Sequence, residues 1–280
     1  MAALALPGLA LLGAFAFAPA VRVLWLSFHE ASGLSSAQFV GLESYLSLAR
    51  SPSVQRAALC SLACVAVTPA LVALSLGLAL LVERATLTNR MLRAAYFIPA
   101  VTSTIAVGVV WRILLEDDAG WVNRALGTSI PWLTGSFALG SVLLVVLWRG
   151  LGYYMLLYLA ALARAPVSLR EAAALDGAGP ITTFRAAIWP TVRSTAYLAA
   201  ALSASAALKV FDEVMVLTGG GPLGRTTTLV FLAYESAFAT FPPRLGTASA
   251  IGVILSLLAA LALGAARWAS ARRAAGGKAP

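Results

Sequence analysis

The chain has 280 residues, of which 60% are hydrophobic and only 11% charged, and its mean hydropathy is +0.88. A soluble domain of this length carries roughly a quarter charged residues, so the composition excludes an ordinary water-soluble fold and points to a bilayer. The net charge of +9 does not indicate nucleic acid, because the basic residues are scattered between apolar runs instead of gathered on one face with aromatics.

Those apolar runs are continuous over about 20 residues, the reach of a helix across hydrocarbon, whereas membrane barrel strands alternate over about 10. The fold expected is all-α: one transmembrane domain over residues 1–280, a bundle of six helices. Its spans are expected at about 4–28, 57–82, 92–115, 136–162, 195–217 and 245–268. The first contains "AFAFAPA", which looks like a cleavage site for a signal peptide. No basic region precedes it and apolar character continues past Pro19, so it is read as a span. Arg22 on that span is expected to face protein or to snorkel.

Cys60 and Cys64 lie four residues apart in the second run, on one helix face. That geometry is poor for a disulfide, and two thiols alone do not hold a metal; both read as packing residues. Pro69 and Pro99, inside the second and third spans, are expected to bend them.

Six spans put both termini on one side, together with the loops after spans two and four. That side holds Arg84, Arg90, Arg93, Arg164, Arg170, Arg185 and Arg193, and the tail adds Arg267, Arg272, Arg273 and Lys278. The other side has Arg50, Arg56, Arg124, Arg225 and Arg244, diluted by Glu30, Glu43 and the run Glu116, Asp117, Asp118. The positive-inside rule therefore makes the termini cytoplasmic.

The fourth span carries Trp148, Arg149, Gly150, Gly152, Tyr153 and Tyr154. Two glycines so placed admit close helix approach or local unwinding, and the aromatic faces suit either sugar rings or the membrane interface. Pro166 then stops the helix. Ser168 stands three residues before Glu171, the spacing of a capping box, and Ala172, Ala173, Ala174 and Leu175 continue a short helix. Gly177 is placed to end it, and Pro180 to open a second helix over 181–188 that ends near Pro190. The loop over 164–194 is thus a helix, a glycine turn and a helix at the membrane surface. On the residues alone two readings stay open: an amphipathic linker, or a docking element whose bare alanine face admits a partner while Arg170, Glu171 and Asp176 set register.

In the fifth span, Lys209 has Asp212 and Glu213 three and four residues on, spaced to pair along one helix, with Ser205 a turn away. This stripe reads as a self-neutralised pair snorkelling to an interface or as lining of a passage. "GGGPLG", from Gly219 to Gly224, formally satisfies G-x-G-x-x-G, but it follows a membrane span and Pro222 lacks an N–H for phosphate; it reads as a loop turn. There is one histidine, no metal-ligand spacing and no G-x-x-x-x-G-K-[ST] run, so neither enzyme chemistry nor nucleotide hydrolysis is expected of this chain.

The segment "EAAALDGAG" resembles the EAA loop of permease subunits in bacterial binding-protein-dependent ABC importers. "FVGLESYLSL", "LRAAYFIPAVTS", "VVWRILL", "WRGLGYYMLLYLAAL" and "VFDEVMVLTGGGP" resemble the sugar-transporter branch in order and spacing. The likeness is to the first of two permeases in maltose, trehalose or glycerol-phosphate type systems, with departures at Gly179, Pro180 and Trp189. It implies a permease of an ATP-driven importer for a sugar or sugar-like solute, in the bacterial inner membrane. The implied partners are a second homologous permease, two copies of a cytoplasmic ABC ATPase and an extracytoplasmic substrate-binding protein. No cofactor is expected in this chain, since ATP and Mg belong to the ATPase. Coupling to that ATPase is assigned by resemblance to Arg170, Glu171, Ala172, Ala173, Leu175, Asp176, Gly177 and Ala178. Candidates for the substrate path are Trp148, Tyr153, Tyr154, Ser205, Lys209 and Asp212, and for binding-protein contact Gly219, Gly220, Gly221 and Pro222. A secondary transporter would show inverted repeats with interrupted helices at matching positions; none is visible in the sequence. A membrane scaffold without a transport path is the other alternative.

Overall fold

The computed structural model describes residues 2–32, 37–164 and 177–276. The regular elements of the described chain are helices except for β1 (His29–Glu30), which pairs antiparallel with β2 (Gln38–Phe39). α1 (Ala2–Leu12) passes through a π turn (Gly13–Phe17) into α2 (Ala18–Leu26), and α3 (Glu43–Arg50) follows β2. Then come α4 (Pro52–Ala66), α5 (Thr68–Leu81), α6 (Leu87–Val101), α7 (Thr104–Leu114), α8 (Trp121–Leu126) and α9 (Ala138–Leu162). The remainder is α10 (Pro180–Thr183), α11 (Trp189–Ala207), α12 (Asp212–Leu217), α13 (Leu229–Tyr234) and α14 (Leu245–Gly276).

Among the described residues, four helices are long and apolar enough to cross a membrane: Leu6–Leu26, Pro52–Leu81, Ala138–Leu162 and Leu245–Ala265. α6 and α7 make a fifth only if taken together, because they are bent by 103°. The third span, expected over 92–115 with a bend at Pro99, is bent so sharply that α6 ends at Val101 and α7 begins only at Thr104. Pro99 has no N–H to return to the preceding turn, and the Thr102 hydroxyl donates to Ile98 O at 2.8 Å, closing the helix early.

The fifth span also departs from its expected limits of 195–217. The short helix expected to stop near Pro190 instead runs from α10 through a π turn (Phe184–Ile188) into α11. Pro190 sits in the first turn of α11, where the wider turn before it accommodates a residue without an N–H. α11 then ends at Ala207, and α12 starts only at Asp212. In the break, Val210 O accepts the Thr228 hydroxyl at 2.8 Å.

Lipid tails are as apolar as leucine, so helices in a bilayer associate through close packing and small residues. α9 is the hub. Tyr154, Met155, Tyr158 and Leu162 pack with Leu71 and Leu76 of α5 and with Val192 and Ala196 of α11. Val142 and Val145 join Cys64, Val107, Val214 and Phe231 in a second cluster. A Cβ on Gly152 would lie 1.9 Å from Tyr96 O, so α6 and α9 cross backbone to backbone there. At Gly150 it would meet only the Leu71 side chain, at 3.1 Å. α9 is unbroken through both glycines, which act by close approach and not by unwinding. The first span is the exception: none of it is buried within this chain, and Arg22 on it is exposed.

The connections gather at two ends. At one, Val82 and Leu162 share a cluster with Phe184 and Ile188. Here Arg93 donates to Val82 O at 2.6 and 3.0 Å and to Glu83 O at 2.8 Å, capping carbonyls left free at the end of α5. At the other end lie the β1–β2 pair, the segment from Asp117 to Thr134 and the loop after α12. Buried Asn123 holds that segment, donating to Asp117 O at 2.8 Å and Ile130 O at 2.9 Å while accepting from Trp132 Nε1 at 2.9 Å. The Asp117 carboxylate accepts the Leu133 N–H at 3.0 Å and the Thr134 hydroxyl.

Candidate functional site

Two breaks in the helices and a one-residue turn within a third, at Val67, meet around one cavity of about 370 Å³, within the roughly 300–1,000 Å³ of small-molecule sites. The junction of α4 and α5 contributes Cys64, Val67 and Thr68, and the end of α6 contributes Ala100. α9 contributes Arg149, Gly150, Tyr153 and Tyr154, and the end of α11 contributes Ser203, Ala207 and, just beyond, Val210. A helix that breaks frees backbone groups and lets side chains turn inward, so irregular backbone at membrane depth is tolerated where it lines a cavity.

The polar lining is sparse. Tyr153 is 47% exposed, and its ring stands at 90° to that of buried Tyr154, 5.1 Å away between centroids. The hydroxyl of Thr68, a residue only 8% exposed, has no hydrogen-bond partner among the described residues. Ser203 turns its hydroxyl onto Ala200 O at 3.2 Å. Arg149 is the only charged residue on the wall, among the described residues. Its Nε and Nη2 both donate to Glu213 Oε1, at 3.1 and 2.7 Å, and the Glu213 side chain is 4% exposed.

That pair replaces the one expected within the fifth span. Glu213 and Asp212 were expected to meet Lys209 along a single helix. The break between Ala207 and Asp212 cancels the spacing, Lys209 is exposed, and Glu213 pairs with Arg149. Of the path candidates, Tyr153 and Tyr154 line the cavity. Trp148, Ser205, Lys209 and Asp212 do not; Trp148 packs edge-on to Trp111 at 5.3 Å. Sequence reasoning missed Thr68 and Ser203 as neighbours of this space, and gave Glu213 the wrong partner. The only available signal was general: an arginine and a glutamate in two apolar helices each need a partner.

The glycine candidates form a built loop after α12. Gly219 and Gly220 adopt φ of 58° and 81°, and a Cβ on Gly220 would lie 2.7 Å from the Phe231 ring and 2.8 Å from Thr227 Oγ1. Thr226, fully buried, donates to Gly221 O at 2.7 Å and meets the Thr218 hydroxyl at 2.7 Å. Thr227 donates to Gly220 O at 3.1 Å. Cys60 Sγ reaches Arg225 O at 2.9 Å. So tied, the loop displays Leu223, 85% exposed, beyond the Gly221–Pro222 bond. Thr226→Val, isosteric but without the hydroxyl, strands Gly221 O, while the Thr218 hydroxyl keeps Val214 O at 3.1 Å; it lowers stability by about 1–3 kcal/mol, read as a fall in unfolding temperature of the protein in detergent.

Of the residues assigned to coupling, Arg170, Glu171, Ala172, Ala173, Leu175 and Asp176 lie outside the described residues, as do Ser168 and Ala174. Gly177 and Ala178 are described. Gly177 has φ of 67°, a left-handed turn residue, and Gly179 is extended before Pro180 opens α10.

Residues 71–274 match the family described as the binding-protein-dependent transport system inner membrane component. The chain belongs to that family. This permease is 32% identical to the sn-glycerol-3-phosphate transport system permease protein of Yersinia pseudotuberculosis, over 91% of its own length and 88% of the relative's. It is 27% identical to the probable starch degradation products transport system permease protein of Thermoanaerobacterium thermosulfurigenes, covering 85% of this chain and 82% of that one. Its fold matches a chain of a bacterial alginate ABC transporter in complex with an alginate pentasaccharide-bound periplasmic protein. There the TM-score is 0.83 with 19% identity, over 96% of this chain and 93% of the other. The permease is thus an inner-membrane component of an ABC importer, and ATP hydrolysis belongs to a separate subunit.

Proposed function

We propose that this permease is one half of the passage of a sugar importer, paired with a second homologous permease, two cytoplasmic ATPases and an extracytoplasmic binding protein. The observation that carries the reading is the cavity where two helix breaks and the turn at Val67 converge, walled by the half-exposed ring of Tyr153 and by Arg149. Aromatic faces pack against the C–H faces of sugar rings, and discontinuous helices are where transporters bind their cargo. The relatives carry names for glycerol phosphate and for starch degradation products, which supports a sugar or polyol cargo.

In this reading the termini are cytoplasmic and the end holding Gly177 faces the ATPase, with residues 170–178 as the coupling segment. Closure of the ATPases on ATP moves that segment and rocks the helices it continues into. The opposite end, with the loop from Gly219 to Gly224, meets the binding protein, and Leu223 is its most prominent side chain. ATP and Mg bind the ATPase and not this chain.

The test is uptake into proteoliposomes holding the complete complex. Uptake of a labelled oligosaccharide, polyol or sugar phosphate that needs both ATP and the binding protein is expected, and Tyr153→Ala reduces it about tenfold, as loss of a stacking partner does. No uptake across that panel removes the sugar reading. For sidedness, a cysteine at Leu223 is labelled by an impermeant thiol reagent from outside intact cells and one at Ala178 only after lysis; the reverse pattern inverts the topology.

A further inference from the structure

The relatives' names span neutral and phosphorylated cargos, and the fold neighbour carries an acidic polysaccharide. The charge balance of the cavity separates these classes. We infer that this half of the passage selects an uncharged polyhydroxy solute and rejects phosphorylated or carboxylated ones, with the Arg149–Glu213 pair as the specificity-determining element. The inference rests on reading the cavity as the solute passage.

Arg149 is the one charged group lining the space, among the described residues, and its charge is already answered. Glu213 Oε1 takes both Nε and Nη2, at 3.1 and 2.7 Å, from behind the wall, where the glutamate side chain is 4% exposed. A phosphate entering this cavity meets a bound pair and not a free cation. It must compete for the guanidinium against a carboxylate fixed in better geometry, and must shed its water beside a like charge. The apolar neighbours Leu71, Val146 and Leu202 offer nothing in exchange.

A sugar hydroxyl faces a different balance. Nη1 of Arg149 has no partner among the described residues, and the Arg149 side chain is 31% exposed, so N–H donors remain for a neutral oxygen. The unpartnered hydroxyl of Thr68 adds a group that both donates and accepts. The Tyr153 ring, held at 90° to Tyr154, gives an apolar face for the ring of the solute. Glu213 therefore acts through Arg149: it cancels the charge and fixes the direction of the donors.

The experiment has two arms in proteoliposomes with the complete complex. In the first, uptake of maltose and glycerol is compared with uptake of glucose 1-phosphate and glycerol 3-phosphate by the unaltered protein. Uptake confined to the neutral pair is expected; uptake of either phosphate at a comparable rate overturns the inference while leaving the sugar reading standing. Uptake of none overturns both. The second arm removes dependence on what the binding protein captures, by asking how well inorganic phosphate inhibits uptake of whichever neutral solute is carried. Glu213→Gln keeps the shape and frees one positive charge, so phosphate inhibits that variant at a concentration about tenfold lower than the wild type. The double variant Arg149→Gln/Glu213→Gln has no charge to free and returns to wild-type resistance. Equal inhibition of all three proteins overturns the role of the pair. The first arm decides on wild-type protein alone should Glu213→Gln not assemble.

Discussion

Gly152→Ala destabilises the permease by on the order of 1–3 kcal/mol or more, whereas Gly150→Ala, two residues away on the same helix, costs less than about 1 kcal/mol. The contrast comes from what each new methyl meets. At Gly152 it would lie 1.9 Å from Tyr96 O, 2.5 Å from Tyr96 C and 2.9 Å from Phe97 Cα, all backbone of α6. Backbone within a helix cannot step aside, so α6 and α9 must separate and lose contacts along the whole crossing. At Gly150 the nearest atoms are the δ methyls of Leu71 at 3.1 Å, the end of a side chain that can turn. Unfolding temperatures of the two purified variants in one detergent provide the check. Equal losses would mean that this crossing is not what holds α6 in place. The consequence extends to function, because α6 delivers Ala100 to the cavity and ends in the 103° bend beside it.

Gly177→Pro removes coupling between hydrolysis and uptake, lowering the solute carried per ATP at least about tenfold. Gly177 holds φ of 67°, and proline is locked near −65°, so the turn cannot form with proline in it. A Cβ at this position has nothing within 4 Å among the described residues, so the effect argued is conformational. Gly177→Ala then gives a graded intermediate: alanine can enter the left-handed region at a cost of about 1–2 kcal/mol and retains part of the coupling. Assembly in the membrane should be unaffected in both variants, since the residue is exposed and lies outside the packed clusters. The measurement is uptake and ATP hydrolysis in the same proteoliposomes. An unchanged ratio in the proline variant would deny the segment its role as a lever.

Several features were legible in the sequence because they depend on local chemistry. Run length and composition determine that the chain is helical and lives in a bilayer, since a continuous apolar run of about 20 residues crosses hydrocarbon as an internally hydrogen-bonded helix, while barrel strands are shorter and alternate. The left-handed turn at Gly177 and the turn from Gly219 to Gly224 follow from the one residue that lacks a Cβ, whereas at Gly150 and Gly152 the sequence left close approach and unwinding both open and packing chose the first. Tertiary structure alone decided the rest. Hydropathy is summed along the chain and is blind to an interrupted hydrogen-bond ladder, so it ran straight through the gap between Ala207 and Asp212, and Pro99 announced a bend in the third span without its 103°. Pro190 looked like a stop, but the π turn before it carries the helix onward. Arg93 counted as a topology charge, yet it caps α5. Glu213 had a lysine four residues away and pairs instead with an arginine 64 residues distant, because a buried charge takes whichever partner helix packing brings within reach.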